Sequence, residues 1–423
     1  MSDSNISQNL SETLFKPKFD YAETSTISNS ACPLPTLSRR DPYFGFEENF
    51  YRPILKFTWV HTGGNAIDID EALARICTSK NERTRSSLYD TVKDYGPGHW
   101  VYEFNCEAQE RVNAAKEALE KNDLKKASHN YRMAARYYSI AAYPYLKGDV
   151  FAQEADTLAR TYYKKIFDIE DSEGDLLEQT FDVDGKKVKG YLHLPNLTDV
   201  HACVIAVCPY ENAFSSYYRL YADYLKPYNI ACFVLEMPGV GGCEKLNLND
   251  HFSLGVEKAI DHLATLKYVD SNKIGLLGIG MAGTACIRAT ILNSSKVKGL
   301  FCFAPFVHSF YTDADILNSL PLCLRSSLCN RLDLDASSWD TVIPRFKAYS
   351  LKTQGILSAS GRCTVPTTVC SVENSVITKE DLRSLGNNFK DFTSYVLENN
   401  HSSMFFKASL EKVSTFFDKI FNS

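Results

Sequence analysis

The spacing of apolar residues changes once along this chain, and the change divides it. Up to about residue 168 the spacing is helical. Ala108, Val112, Ala115 and Leu119 fall at i, i+4, i+7 and i+11, one face of a helix that "KND" at 121–123 interrupts. Tyr131, Ala134, Tyr138 and Ala141 make a second stripe, stopped at Pro144, and Ala155, Leu158, Tyr162 and Ile166 a third. These predict helical hairpins over 66–168, with no repeat of fixed period and so no solenoid. From about 180, apolar runs of strand length take over: 188–194, 202–208, 230–237, 273–279, 299–305, 365–372 and 392–398. Helical patterns near 215–226, 252–267, 282–293 and 404–421 separate them. Apolar strands alternating with helices predict an α/β fold, a mostly parallel sheet with helices on both faces.

The same reading sets the organisation. Residues 1–45, rich in Ser, Thr, Asn and Pro, read as an extended arm, 46–172 as a helical domain, and 173–423 as the sheet domain, with the polar run "DSEGD" (171–175) at the boundary. The segment 306–360 is expected to be a helical insertion between two strands, placed to cover a cleft.

Composition narrows the function. The 423 residues are 44% hydrophobic and 23% charged, which fits a packed protein. A net charge of −5 and a pI near 6.0 argue against nucleic acid or a membrane surface as partner. Asp3, Glu12 and Lys16 interrupt the first residues, and no apolar run approaches the roughly 18 residues of a membrane span, so a cytoplasmic location is expected. The thirteen cysteines form no CxxC pair and no zinc-like spacing. Several, including Cys203, Cys208, Cys232 and Cys302, sit inside apolar strands and read as buried reduced thiols. No metal and no cofactor are expected.

The chemistry centres on "KIGLLGIGMAGTACIRA" (273–289): apolar strand, glycine turn, helix. Three readings compete. Gly278, Gly280 and Gly283 spell the G-x-G-x-x-G of a dinucleotide site, but no Asp or Glu lies between Gly283 and Asp313 to bind a ribose, and the turn comes too late among the strands. The second reading is a hydrolase nucleophile elbow with Gly280 at the serine position. One oxyanion N–H would come from the "CPYEN" loop (208–212) at Tyr210 and the other from Met281. Asn374, in "VENS", would then stand at the acid position and His401, in "ENNHSS", at the histidine position. The third reading is structural: the glycines permit close helix–strand packing.

Substitute nucleophiles read more simply as structure. Ser215, Ser216 and Ser253 suit helix starts, His308 a satisfied structural histidine, and Cys243 a turn with no activating neighbour.

Long segments carry a family resemblance: "NLSETLFKPKFDYAETST" (9–26), "LYDTVKDYGPGHWVYE" (88–103), "YSIAAYPYLKGD" (138–149), "EMPGVGG" (236–242) and "YSLKTQGIL" (349–357). In order and spacing they resemble the FrsA (fermentation–respiration switch protein) family. That resemblance implies an α/β-hydrolase fold behind an N-terminal helical part, hydrolysis of carboxylic esters, and a small ester or acyl substrate. It also implies a link to the choice between fermentation and respiration through a phosphotransferase-system protein. It sets Asp at the acid position, where this chain has Asn374. Without a hydroxyl at Gly280, hydrolysis would need a water activated by His401. The other expectation is a regulator without catalysis that binds a protein or metabolite.

Overall fold

Five helices precede the sheet: α1 (Lys56–His61), α2 (Ala66–Thr78), α3 (Trp100–Glu120), α4 (Leu124–Ala142) and α5 (Val150–Phe167). The computed structural model describes residues 49–170, 172–357, 362–372, 375–397 and 402–422. Helices and sheet belong to one compact unit, Tyr43–Ser423. The expected arm, 1–45, lies outside the described residues.

Local signals start the helices. The side chains of Asn65, Asp123 and Asp149 accept from backbone N–H groups of the first turns of α2, α4 and α5. Trp59 sits against Trp100, Phe104 and Tyr143 with ring centroids 6.1–6.3 Å apart. Asp68 of α2 takes Arg111 of α3 and the Tyr137 hydroxyl of α4, so one carboxylate ties three helices.

The predicted stripes need two corrections. Leu119 is 38% exposed, because α3 is in its last turn there. On α5 the buried line is Ala152, Ala155, Ala159, Tyr163 and Ile166, while Leu158 and Tyr162 are half-buried beside it. Small alanines let α5 approach its neighbours, and Tyr162 instead stacks on Tyr131 and Tyr138 at the margin.

Eight strands form one sheet in the order β1-β2-β4-β3-β5-β6-β7-β8. They are β1 (Asp175–Val183), β2 (Lys186–Leu194), β3 (His201–Cys208), β4 (Ile230–Glu236), β5 (Val269–Ile279), β6 (Gly299–Phe303), β7 (Thr367–Val372) and β8 (Phe392–Leu397). β1, β2 and β4 pair antiparallel, and every pair from β4 to β8 is parallel. β1 was not expected from the sequence. It is an edge strand with mostly half-exposed side chains, so its apolar signal is weak.

Both faces of the central strands are buried. Cys203, Ile205 and Val207 enter one core with Val256, Ile260 and Leu263 of α6 (Leu254–Leu263) and Ala285 of α7 (Gly280–Leu292). Val204, Ala206 and Cys208 enter another with Phe214, Tyr217, Val413 and Phe417. Alternate residues thus feed opposite cores, which explains the unbroken apolar runs. The expected helix at 215–226 is a series of irregular turns at 214–217, 220–225 and 226–228. Helices fill the described part of the segment between β6 and β7, the longest there being α8 (Leu322–Leu332). α9 (Lys379–Asn388) opens on a capping box of Thr378 and Asp381, and α10 (Ser402–Phe421) closes the chain.

Two buried polar contacts join α5 to the sheet. Arg160 Nη2 donates to Glu236 at 2.8 and 2.9 Å, and its Nε to Asp156 at 2.7 Å. Burial opposes the charge, yet Asp156 and Glu236 hold the guanidinium pKa well above its ordinary value. In the second contact His193 is fully buried. Its Nδ1 lies 3.1 Å from the Cys232 carbonyl, which can only accept, so Nδ1 carries the proton and Nε2 accepts the Tyr163 hydroxyl at 2.8 Å.

Replacing Arg160 by Met leaves the Glu236 carboxylate buried without its cation, and we expect a loss of about 3–5 kcal/mol in urea unfolding. For His193, burial lowers the pKa from 6.5 to about 4. Between those values the unfolded chain binds a proton that the folded chain does not, so stability must fall as pH drops from about 6.5 toward 4. The full loss is about 3 kcal/mol, and His193→Gln should flatten that part of the stability–pH curve.

Candidate active site

Strand order locates the site before any side chain does. From β3 the chain first adds β4 on one side and then returns to add β5 on the other, so the loops leaving β3 and β5 part at a switch point. In register, Val207 of β3 faces Gly278 of β5. The segment "PYEN" (209–212) and Gly280 therefore leave the same edge of the sheet side by side.

Gly280 has φ +53° and is the first residue of α7, directly after β5. That left-handed turn between strand and helix has the backbone form expected of a nucleophile elbow, with glycine in the turn. Its flanking glycines are required by contact. A Cβ on Gly278 would lie 2.7 Å from the Ala282 carbonyl oxygen and from the backbone of Gly283, and one on Gly283 would meet the Pro305 side chain at 2.8 Å. At Gly280 itself a Cβ clears the backbone and meets only the Phe306 ring edge, at 3.2 Å.

Phe306 covers the turn. Its N–H donates to the Gly280 carbonyl at 3.1 Å, its ring stacks on Phe310 at 3.7 Å, and its carbonyl accepts the Thr284 hydroxyl at 2.5 Å. The Thr284 and Tyr311 hydroxyls lie 2.9 Å apart. No sequence signal pointed to Phe306 or Thr284.

The candidate oxyanion positions sit where the strands place them. Tyr210 is in the loop after β3, and Met281 is the second residue of α7; both are buried. Asn374 and His401 lie outside the described residues. The substitute nucleophiles take other roles. Ser215 and Ser216 are not caps, since Ala213 precedes the turn at 214–217; both accept from Arg136 Nη2, at 3.0 and 2.8 Å. Ser253 donates to Glu257 at 2.6 Å and accepts from Arg288 at 2.5 Å. His308 Nδ1 lies 2.7 Å from the Ser350 hydroxyl. Burial pushes the Cys243 thiol up, away from reactivity. No disulfide joins two of the described cysteines, and no described His, Cys, Asp and Glu side chains gather as a metal site.

A cleft of about 450 Å³ opens between α5, the β1–β2 hairpin and residues 239–245. Its lining includes Arg160, Lys164, Glu178 and Lys189 but neither Gly280 nor Tyr210, and these charges pair with one another or with Glu236. We therefore place the site at the switch point.

The family model described as Esterase FrsA-like matches residues 5–421. The chain belongs to the FrsA-like esterase family. The Esterase FrsA of Yersinia pestis (strain Pestoides F) is 32% identical over 361 residues, 85% of each chain, and that of Yersinia pseudotuberculosis serotype O:1b (strain IP 31758) matches equally. Among solved structures, 2,6-dihydroxy-pseudo-oxynicotine hydrolase superposes with a TM-score of 0.67 at 14% identity, over 86% of this chain and 95% of that one. AbyA5 superposes with a TM-score of 0.62 at 16% identity, over 87% and 98%. These likenesses establish the α/β-hydrolase fold for this FrsA-like chain. Among its described residues no helix is long and apolar enough to cross a membrane.

The elbow geometry separates its glycines by role. Gly278→Ala drives a Cβ into the backbone of Ala282 and Gly283, and we expect about 3 kcal/mol of destabilisation. Gly280→Ala meets only a movable ring and the left-handed φ, a cost of about 1 kcal/mol. Urea unfolding of the two variants reads the difference.

Proposed function

We propose that the chain is a carboxylic ester hydrolase in which water, not an enzyme side chain, attacks the ester. The observation that carries this is the Gly280 turn at φ +53°, an elbow kept in backbone and empty of nucleophile. The substrate would be a small ester whose carbonyl carbon lies over that turn. As water adds, the carbonyl oxygen takes up negative charge, and the main-chain N–H groups of Tyr210 and Met281 are the donors assigned to it. His401 takes the proton of the attacking water and returns it to the departing alcohol, and Asn374 orients the imidazole through its carbonyl oxygen. Asparagine cannot offset the imidazolium charge as a carboxylate would, so turnover is expected to be slow. An oxyanion hole and binding alone sustain about 10³–10⁴-fold acceleration over water when the triad is broken.

Phe306 on the turn favours a second reading, a regulator without catalysis that binds a metabolite or a phosphotransferase-system protein.

Purified protein incubated with short-chain aryl esters and a fluorophosphonate probe separates these. We expect slow hydrolysis, lost in His401→Ala, without labelling of the wild type, and labelling in Gly280→Ser. Hydrolysis that survives in His401→Ala removes the water mechanism. No wild-type turnover above buffer, with turnover gained in Gly280→Ser, establishes the regulator.

A further inference from the structure

Four buried polar atoms around the loop after β3 have no nitrogen or oxygen partner among the described residues: Tyr143 Oη, which has only the weakly bonding Cys323 thiol, Tyr210 Oη, Asn212 Oδ1 and Arg331 Nε. They come from three separate stretches of chain, the end of α4, the "PYEN" loop and α8. Buried polar groups are normally satisfied, and four so poorly satisfied carry a large desolvation cost.

Tyr143, Tyr210 and Arg331 are neighbours. The Arg331 guanidinium lies 4.8 Å from the centre of the Tyr210 ring. Its Nη2 donates to the carbonyls of Pro144 and Tyr145, next in chain to Tyr143, at 3.0 and 3.1 Å, and its Nη1 to Ser327 at 2.9 Å. Arg331 is fully buried and forms no ion pair among the described residues. The acid facing the cluster is Glu211, whose charge acts on Tyr143, Tyr210 and Arg331 alike. Burial pushes the Glu211 carboxyl up, against its own backbone N–H and Arg331. Both phenols are likewise raised by burial, so they remain O–H donors.

The inventory is thus two hydroxyl donors and one guanidinium N–H, around a buried cation that has no acid at ion-pair distance among the described residues. We propose that this cluster binds the carboxylate of a small organic acid, with Tyr143, Tyr210 and Arg331 donating to its oxygens. A carboxylate is planar, accepts several donors at once and would bring a negative charge into contact with Arg331. A neutral amide or ester supplies acceptors without the charge. Glu211 competes with the ligand, since two carboxylates facing one guanidinium repel. The site goes beyond the ester-hydrolase reading and requires no turnover, so either can fail alone.

Calorimetric titration of the full chain with sodium butyrate, against butyramide, tests it. We expect butyrate to bind at least tenfold more tightly than butyramide. The Tyr143→Phe/Tyr210→Phe variant should lose at least tenfold of butyrate affinity with a Tm equal to or above wild type, because it deletes two poorly satisfied buried hydroxyls and no packing. Glu211→Gln should tighten butyrate binding. Equal binding of butyrate and butyramide, or undiminished binding by the double variant, overturns the proposal. If the double variant does not fold, the result for Glu211→Gln decides, and unchanged or weaker binding there overturns it.

Discussion

A guanidinium from α5 and a carboxylate from the end of β4 occupy one buried position, and three parts of the site take their shape from it. Glu236 accepts from Arg160 and also from the backbone N–H groups of Phe214 and Gly242, at 3.3 and 2.7 Å. One side chain thus holds the helical region, the turn after the β3 loop and the glycine-rich exit from β4. The Arg160 guanidinium lies 4.7 Å from the centre of the Phe214 ring, so the charge is walled by an aromatic face as well as by acids. Packing is so close there that a Cβ on Gly241 would run into Arg160 and Glu236. Gly241 of "MPGVGG" is a consequence of this ion pair, whereas Gly239 makes room for the Arg331 side chain and Gly242 for the Lys189 carbonyl.

The elbow follows another logic. In a serine hydrolase a side chain held at positive φ is strained, and the fold bears that strain to expose a nucleophile. Gly280 adopts the same φ at little cost. The geometry is nonetheless kept by its surroundings: Gly278 and Gly283 are in backbone contact across the turn, and Thr284 ties the first turn of α7 to Phe306 and Tyr311. The turn is thus held by packing and hydrogen bonds around a residue that bears little strain itself.

The sheet was legible because β3, β4 and β5 are buried on both faces and leave continuous apolar runs. β1 was not, since only Phe181 and Val183 of its nine residues are buried. The stripe on α5 was drawn through the larger residues, Leu158 and Tyr162, although close packing selects the alanines next to them. For the site, the turn and the loop after β3 could be read locally, as strand–glycine–helix and strand–loop. Contacts such as Arg136 with Ser215, 79 residues apart, or Arg331 with Tyr145, 186 apart, have no local signature. What the sequence hid is the set of polar contacts between the helical region, the insertion and the sheet.

Those contacts are not equivalent. Arg160 enters the protein with two acids, whereas Arg136 and Arg331, both buried, hydrogen-bond hydroxyls and carbonyls and form no ion pair among the described residues, and burial lowers the pKa of each. A fold selected for stability alone would pair or replace such groups, because an uncompensated buried cation is among the costliest features a core can hold. Arg136 and Arg331 both sit beside the loops that leave β3, the same edge from which Gly280 departs. Violations of the packing rules gathered at a switch point are the pattern a fold shows where stability is traded for binding, which is what the proposed carboxylate site would use.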